Sequence, residues 1–107
     1  MEIDKKLVKK EIESNKERQE SLKERLLLLP KGHINTLYRN GKGYYYLTYR
    51  NGKKINNDYL GPVEKADLRE IMDKLKQRND IKKEIKALKE EEKELKRKIG
   101  RRNVSQQ

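Results

Sequence analysis

Five cations gather in a short central stretch: Arg39, Lys42, Arg50, Lys53 and Lys54, interleaved with Tyr38, Tyr45 and Tyr49. Cations at turns and strand ends bind phosphate oxygens, with salt-sensitive affinity and little sequence preference. Tyrosine rings stack on bases or pack against sugars. These residue types in this pattern point to nucleic acid, with phosphate on the five cations and base or sugar on the three tyrosines. A narrow β-ribbon also fits a DNA major groove, where Arg39 or Arg50 can read guanine. The competing account is that the tyrosines pack a core and the turn lysines guard exposed strand edges.

Other chemistries find few residues to work with. His33 is the single histidine, in a Lys-Gly-His turn without a neighbouring carboxylate. The many carboxylates alternate with lysines on helical stretches, where i,i+4 ion pairing accounts for them. There is no nucleophile beside a base, no metal-ligand spacing and no cysteine. The expectation is a non-enzymatic chain without cofactor or metal. Absent cysteine also fits a reducing cytoplasm.

The cations need elements to position them, and composition limits what those can be. Of 107 residues only 32% are apolar, none is Phe or Trp, and 44% are charged. That is too little for a deep core, so thin apolar seams are expected in one elongated domain over 1–107. The net charge of +11 is unevenly spread: +1 over residues 1–30, +5 over 31–60, +3 over 61–100 and +2 in the tail. The basic middle carries a single acid, Asp58. The longest apolar run, Leu26–Leu29, is far short of a membrane span, and the acidic start lacks a signal-peptide core.

Apolar spacing predicts helices over 2–29 and 62–99, the second started by Pro62 and capped by Gly100, with a basic tail over 100–107. Mirrored seams predict an antiparallel hairpin in which Gln19 meets Arg78 and Asn79, with a homodimer through leftover seam surface as the alternative to a monomer. Residues 33–60 read as three strands. Asn40-Gly41 and Asn51-Gly52 mark the turns, the latter as type I′, which sets Tyr44 opposite Tyr59 and Thr48 opposite Ile55. Tyr44, Tyr46 and Tyr59 then share one sheet face with Leu37, while Tyr38, Tyr45, Leu47 and Tyr49 share the other; which face is covered stays open. The expected fold is α+β: a long antiparallel helical hairpin joined through a three-stranded antiparallel meander, α-β-β-β-α.

The segment Tyr44-Tyr45-Tyr46-Leu47-Thr48-Tyr49-Arg50-Asn51-Gly52-Lys53, followed by Tyr59-Leu60-Gly61, resembles the strand-turn-strand near the start of some insertion-sequence transposases. It is also similar to small phage and mobile-element proteins in which such a hairpin precedes a Lys/Glu-rich helix. The resemblance covers about 30 residues and implies a mobile-element setting and DNA contact, without transposase activity, because no catalytic domain follows. The expected function is nucleic-acid binding, DNA or RNA, by an accessory or regulatory protein. The alternative is a small inhibitor of a host defence nucleoprotein, such as an anti-CRISPR protein.

Overall fold

The computed structural model describes residues 4–105, with side chains placed through residue 100. Ile3 and the side chains of Arg101 and Arg102 lie outside the described residues. The element order is α1 (Lys5–Leu27), β1 (His33–Arg39), β2 (Lys42–Asn51), β3 (Lys54–Pro62) and α2 (Arg69–Ser105). This is the α-β-β-β-α order of an α+β fold. The chain forms two compact units, Met1–Leu28 with Asp80–Gln107, and Leu29–Asn79.

In the first unit α1 starts where Asp4 caps it, its carboxylate accepting from the Lys6 and Leu7 amides at 3.0 and 3.2 Å. Asn15 donates to the Leu88 carbonyl at 2.9 Å, and Arg18 pairs with Glu84 at 2.9 Å. Numbers rise along α1 as their partners' numbers fall along α2, so the helices run antiparallel. Val8, Leu22, Ile81, Ile85 and Leu95 are buried between them, Leu22 completely. Leu7 and Met72 are exposed.

Asn15 and Gln19 are buried in this seam. The Gln19 amide donates to Asn15 and to Glu92, the latter at 2.7 Å, and Glu92 pairs with Lys96 at 2.7 Å. Gln19 therefore does not form a layer with Arg78 and Asn79. Helical side chains lean toward their own N-terminus, so in an antiparallel pair Gln19 and Glu92 lean toward each other and meet. The Lys96 and Gln19 hydrogen bonds, with the charges of Lys96 and Lys16, hold the Glu92 carboxyl below its ordinary range.

In the second unit the strands lie in the order β1-β2-β3, all antiparallel. β2 pairs Tyr46 with Tyr59, Thr48 with Asn57 and Asn51 with Lys54. This is two residues from the expected register, so each side chain keeps its face. A bulge between Tyr45 and Tyr46 then brings Tyr44 opposite Pro62. Pro62 does not open α2. It accepts from the Lys65 and Ala66 amides in an isolated turn, and α2 begins at Arg69, whose amide bonds the Asp67 carboxylate at 3.0 Å. Gly100 lies inside α2, not at its end.

The polar contacts in the seam have measurable consequences. Gln19→Ala should cost about 2 kcal/mol in denaturant unfolding, the scale of losing a buried bond to a charged group. A group whose folded pKa is lowered adds stability above its unfolded pKa and loses it as pH falls through the folded value. Glu92→Gln should therefore flatten the decline in unfolding midpoint as pH falls from neutrality into the acid range; an unchanged decline would remove Glu92 from the acid response.

Candidate nucleic-acid interface

The turns decide where the cations go. Asn40 and Gly41 have φ of 51° and 79°, the left-handed pair a type I′ turn demands, and they join Arg39 to Lys42. The second turn uses the same dipeptide differently. Asn51 remains in the strand, Gly52 alone has positive φ, at 66°, and Gly52-Lys53 form the loop. A single positive φ at the first loop position is the type II′ pattern, not the expected type I′.

A meander places successive turns at opposite ends. Arg39 and Lys42 sit at one end of β2, while Arg50, Lys53 and Lys54 sit at the other, about 26 Å away at ~3.3 Å per residue. The five cations thus form two groups. Strand alternation divides them again. Arg39, Lys42 and Arg50 share a face with Tyr44, Tyr46 and Tyr59, whereas Lys54 shares the Leu47 face with Tyr38, Tyr45 and Tyr49. No single face holds all eight expected residues.

The Leu47 face is the covered one. Leu47 is 5% exposed. Gly43 and Gly61 lie on this face, and a Cβ on either would meet Val63 at 2.7 Å or Ala66 at 3.1 Å. Val63 and Ala66 therefore lie close against this end of the face, with the Val63 amide on the Gly43 carbonyl at 2.9 Å continuing the β2–β3 ladder. Tyr45 and Tyr49 are half-buried there, and the Tyr49 hydroxyl reaches Asp58 at 3.5 Å. Desolvation, then the Asp58 charge, raise the Tyr49 pKa. Tyr38, at the edge, stays 72% exposed.

The opposite face holds a tyrosine cluster. Tyr59 packs against Tyr46 at 5.4 Å between ring centres and against Tyr44 at 6.3 Å, both tilted. With Arg39, Asn40 and Lys42 these rings line an open groove of about 520 Å³. Tyr59 is 57% exposed, and Leu37 and Ile55 on the same face are also about half exposed. A polar ladder crosses the sheet beside the rings: Asn35 donates to Thr48 at 2.7 Å, and Thr48 donates to Asn57 at 2.6 Å. His33 is exposed at the start of β1 on this face. Among the described residues no group of His, Cys, Asp or Glu is placed to hold a metal ion, and no helix is long and apolar enough to cross a membrane.

Sequence reasoning missed Tyr44, Tyr46 and Tyr59 as site residues, although it placed them together. The signal lay in one glycine. Gly43 alternates onto the Leu47 face, where glycine within a strand marks close approach of another segment; Gly61 joins it only through the bulge at Tyr45–Tyr46.

Residues 4–70 match the family model described as Domain of unknown function (DUF6788), which covers more than half of the chain. The chain belongs to this family. No curated protein and no solved structure matches it.

The two Asn-Gly sites should respond differently to substitution. Gly52→Ala should cost about 1 kcal/mol, because alanine is strained at positive φ. Asn51→Ala should cost less than about 0.5 kcal/mol, since Asn51 is an exposed strand residue. Comparable losses in thermal unfolding would mean a type I′ turn at Asn51-Gly52.

Proposed function

We propose that the chain is a non-enzymatic nucleic-acid-binding protein, acting as an accessory or regulatory factor of a phage or other mobile element in the cytoplasm. The observation that carries this is the groove where Arg39 and Lys42 stand beside Tyr44, Tyr46 and Tyr59. Cations there neutralise phosphates, and Tyr59 offers a half-exposed ring for a base or sugar. Arg50 lies further along the same face, so an extended strand laid over the ladder meets charge at both ends. Backbone contacts of this kind fix position with little sequence choice. The mobile-element setting rests on the resemblance of the Tyr-rich hairpin.

One observation favours a second reading. Leu37 and Ile55 expose apolar surface on the same face as the tyrosines, which suits a protein partner such as a host defence nucleoprotein. The two readings differ in whether the purified protein binds nucleic acid unaided.

Binding to labelled duplex DNA, single-stranded DNA and structured RNA should be measured over a salt series. Arg39→Glu with Lys42→Glu should weaken binding at least tenfold and reduce the salt slope by about 2, at roughly 0.9 per phosphate contact on duplex. Tyr59→Ala should weaken binding with little change in slope, and Tyr38→Ala should do neither. Unchanged affinity in the double variant would remove this face as the site, and no binding to any probe at low salt would favour the protein target.

A further inference from the structure

The near-balanced charge of the helical stretches conceals a segregation. In α1 the residue after each of Val8, Asn15 and Leu22 is Lys9, Lys16 or Lys23. In α2 the residue after each of Ile81, Leu88 and Leu95 is Lys82, Lys89 or Lys96. All six recur at heptad spacing along the seam and all are exposed.

The two flanks of the seam are different. The Arg18–Glu84 bridge marks one, since each partner immediately precedes a seam residue, Gln19 or Ile85. An antiparallel pair brings equivalent positions together, so the residues that follow the seam from both helices share the opposite flank. The surroundings of Glu92 agree: it bonds Lys96 of its own helix and feels the charge of Lys16 from the other. That flank is lysine on both sides.

Coiled pairs ordinarily place opposite charges at these positions. Here Lys23 pairs with Glu20 and Lys96 with Glu92, while Lys9, Lys16, Lys82 and Lys89 make no ion pair among the described residues. On α1, Glu13 and Glu20 stand four residues beyond Lys9 and Lys16, as on an ordinary solvated face. On α2 those places are Lys86 and Lys93, so like charges accumulate in a way that weakens an isolated helix. Each row spans about 21 Å, from fourteen residues at ~1.5 Å each.

We propose that this lysine flank is a second phosphate-binding surface, which tracks the backbone of a nucleic-acid duplex. A duplex carries a charge every ~1.7 Å of its axis, so each lysine in a row of this length finds a phosphate. The flank has no aromatic side chain. Single strands are held by stacking platforms, whereas a duplex keeps its bases inside and offers only phosphate and sugar. The surface belongs to the helix-pair unit, the tyrosine face to the other unit.

The test compares two full-length variants with equal charge loss on a random-sequence DNA duplex over a salt series. Lys16→Gln with Lys89→Gln should flatten the plot of log affinity against log salt by about 1.8, from ~0.9 per lost contact. Lys10→Gln with Lys83→Gln, exposed and off the flank, should change it by a small fraction of that. The flank variant should also melt higher at low salt, because it relieves like-charge repulsion. Equal slopes in the two variants, or an unchanged slope in the flank variant, would overturn the proposal. So would retention on poly-glutamate without duplex binding, which would assign the flank to an acidic protein. Arg39→Glu with Lys42→Glu separates this from the tyrosine face. Loss there with a neutral flank variant retires the flank alone, and the reverse retires the tyrosine face alone.

Discussion

Scarcity of apolar side chains governs how this chain holds together. With 32% apolar residues no element can be covered on all sides, and each unit has one thin line of contact. In the helix pair that line is the seam through Val8, Leu22, Ile81, Ile85 and Leu95. In the meander it is Leu47, the one strand residue with a buried apolar side chain. A three-stranded sheet needs a covered face to persist in water. At the Gly43 and Gly61 end of that face, the missing side chains let Val63 and Ala66 lie close against the strands.

Covering one face of each element leaves another free, and that is where the charges collect. The polar residues in the helix seam matter for this. Apolar layers alone tolerate sliding by a heptad, because every layer resembles the next. Asn15 bonds a main-chain carbonyl, at Leu88, but Gln19 bonded to the Glu92 side chain is satisfied in one alignment only, since Ile85 and Ile99 stand a heptad to either side. Such a layer costs stability and specifies register, the best-attested use of buried polar groups in coiled pairs. Register in turn sets which residues face each other across a flank, as Arg18 and Glu84 do.

Much of the architecture was legible in the sequence because it follows from periodicity. Element order, strand count and the division of tyrosines between faces depend on spacings of 3.6 and 2, which survive small errors of register. What failed depended on choices between local options of similar energy. Pro62 suits a helix start and does start a turn, yet Asp67 offers its carboxylate further on and the long helix begins there. Asn51-Gly52 suits a type I′ turn, but glycine is equally at home at the first loop position of type II′, and the strand keeps Asn51. The helix register was misjudged because pairing by apolar position ignores the lean of the side chains. Gln19 and Glu92 reach each other only when both point toward their own N-termini. The candidate site was half legible. Residue types were enough to mark cations and tyrosines, but consecutive turns of a meander cannot share an end, so the five cations could not form one cluster.

The same geometry bears on what kind of recognition the molecule supports. Reading base edges requires a few side chains held at fixed positions by packing behind them. Arg39, Lys42 and Arg50 are exposed at turns and strand ends, and the heptad lysines are exposed on helices. Long flexible side chains in such places, lysine as a point charge and arginine as a planar fork, suit phosphates, which recur regularly whatever the sequence. The exceptions are Tyr44, Tyr46 and Tyr59, which brace one another through tilted ring contacts on a paired strand and so hold their orientation. Under the proposed function, the tyrosine groove is where a ring can distinguish an accessible base from one sealed inside a duplex. The turn cations supply attraction that is indifferent to that distinction, while the proposed lysine flank, with no ring to offer a base, suits the duplex.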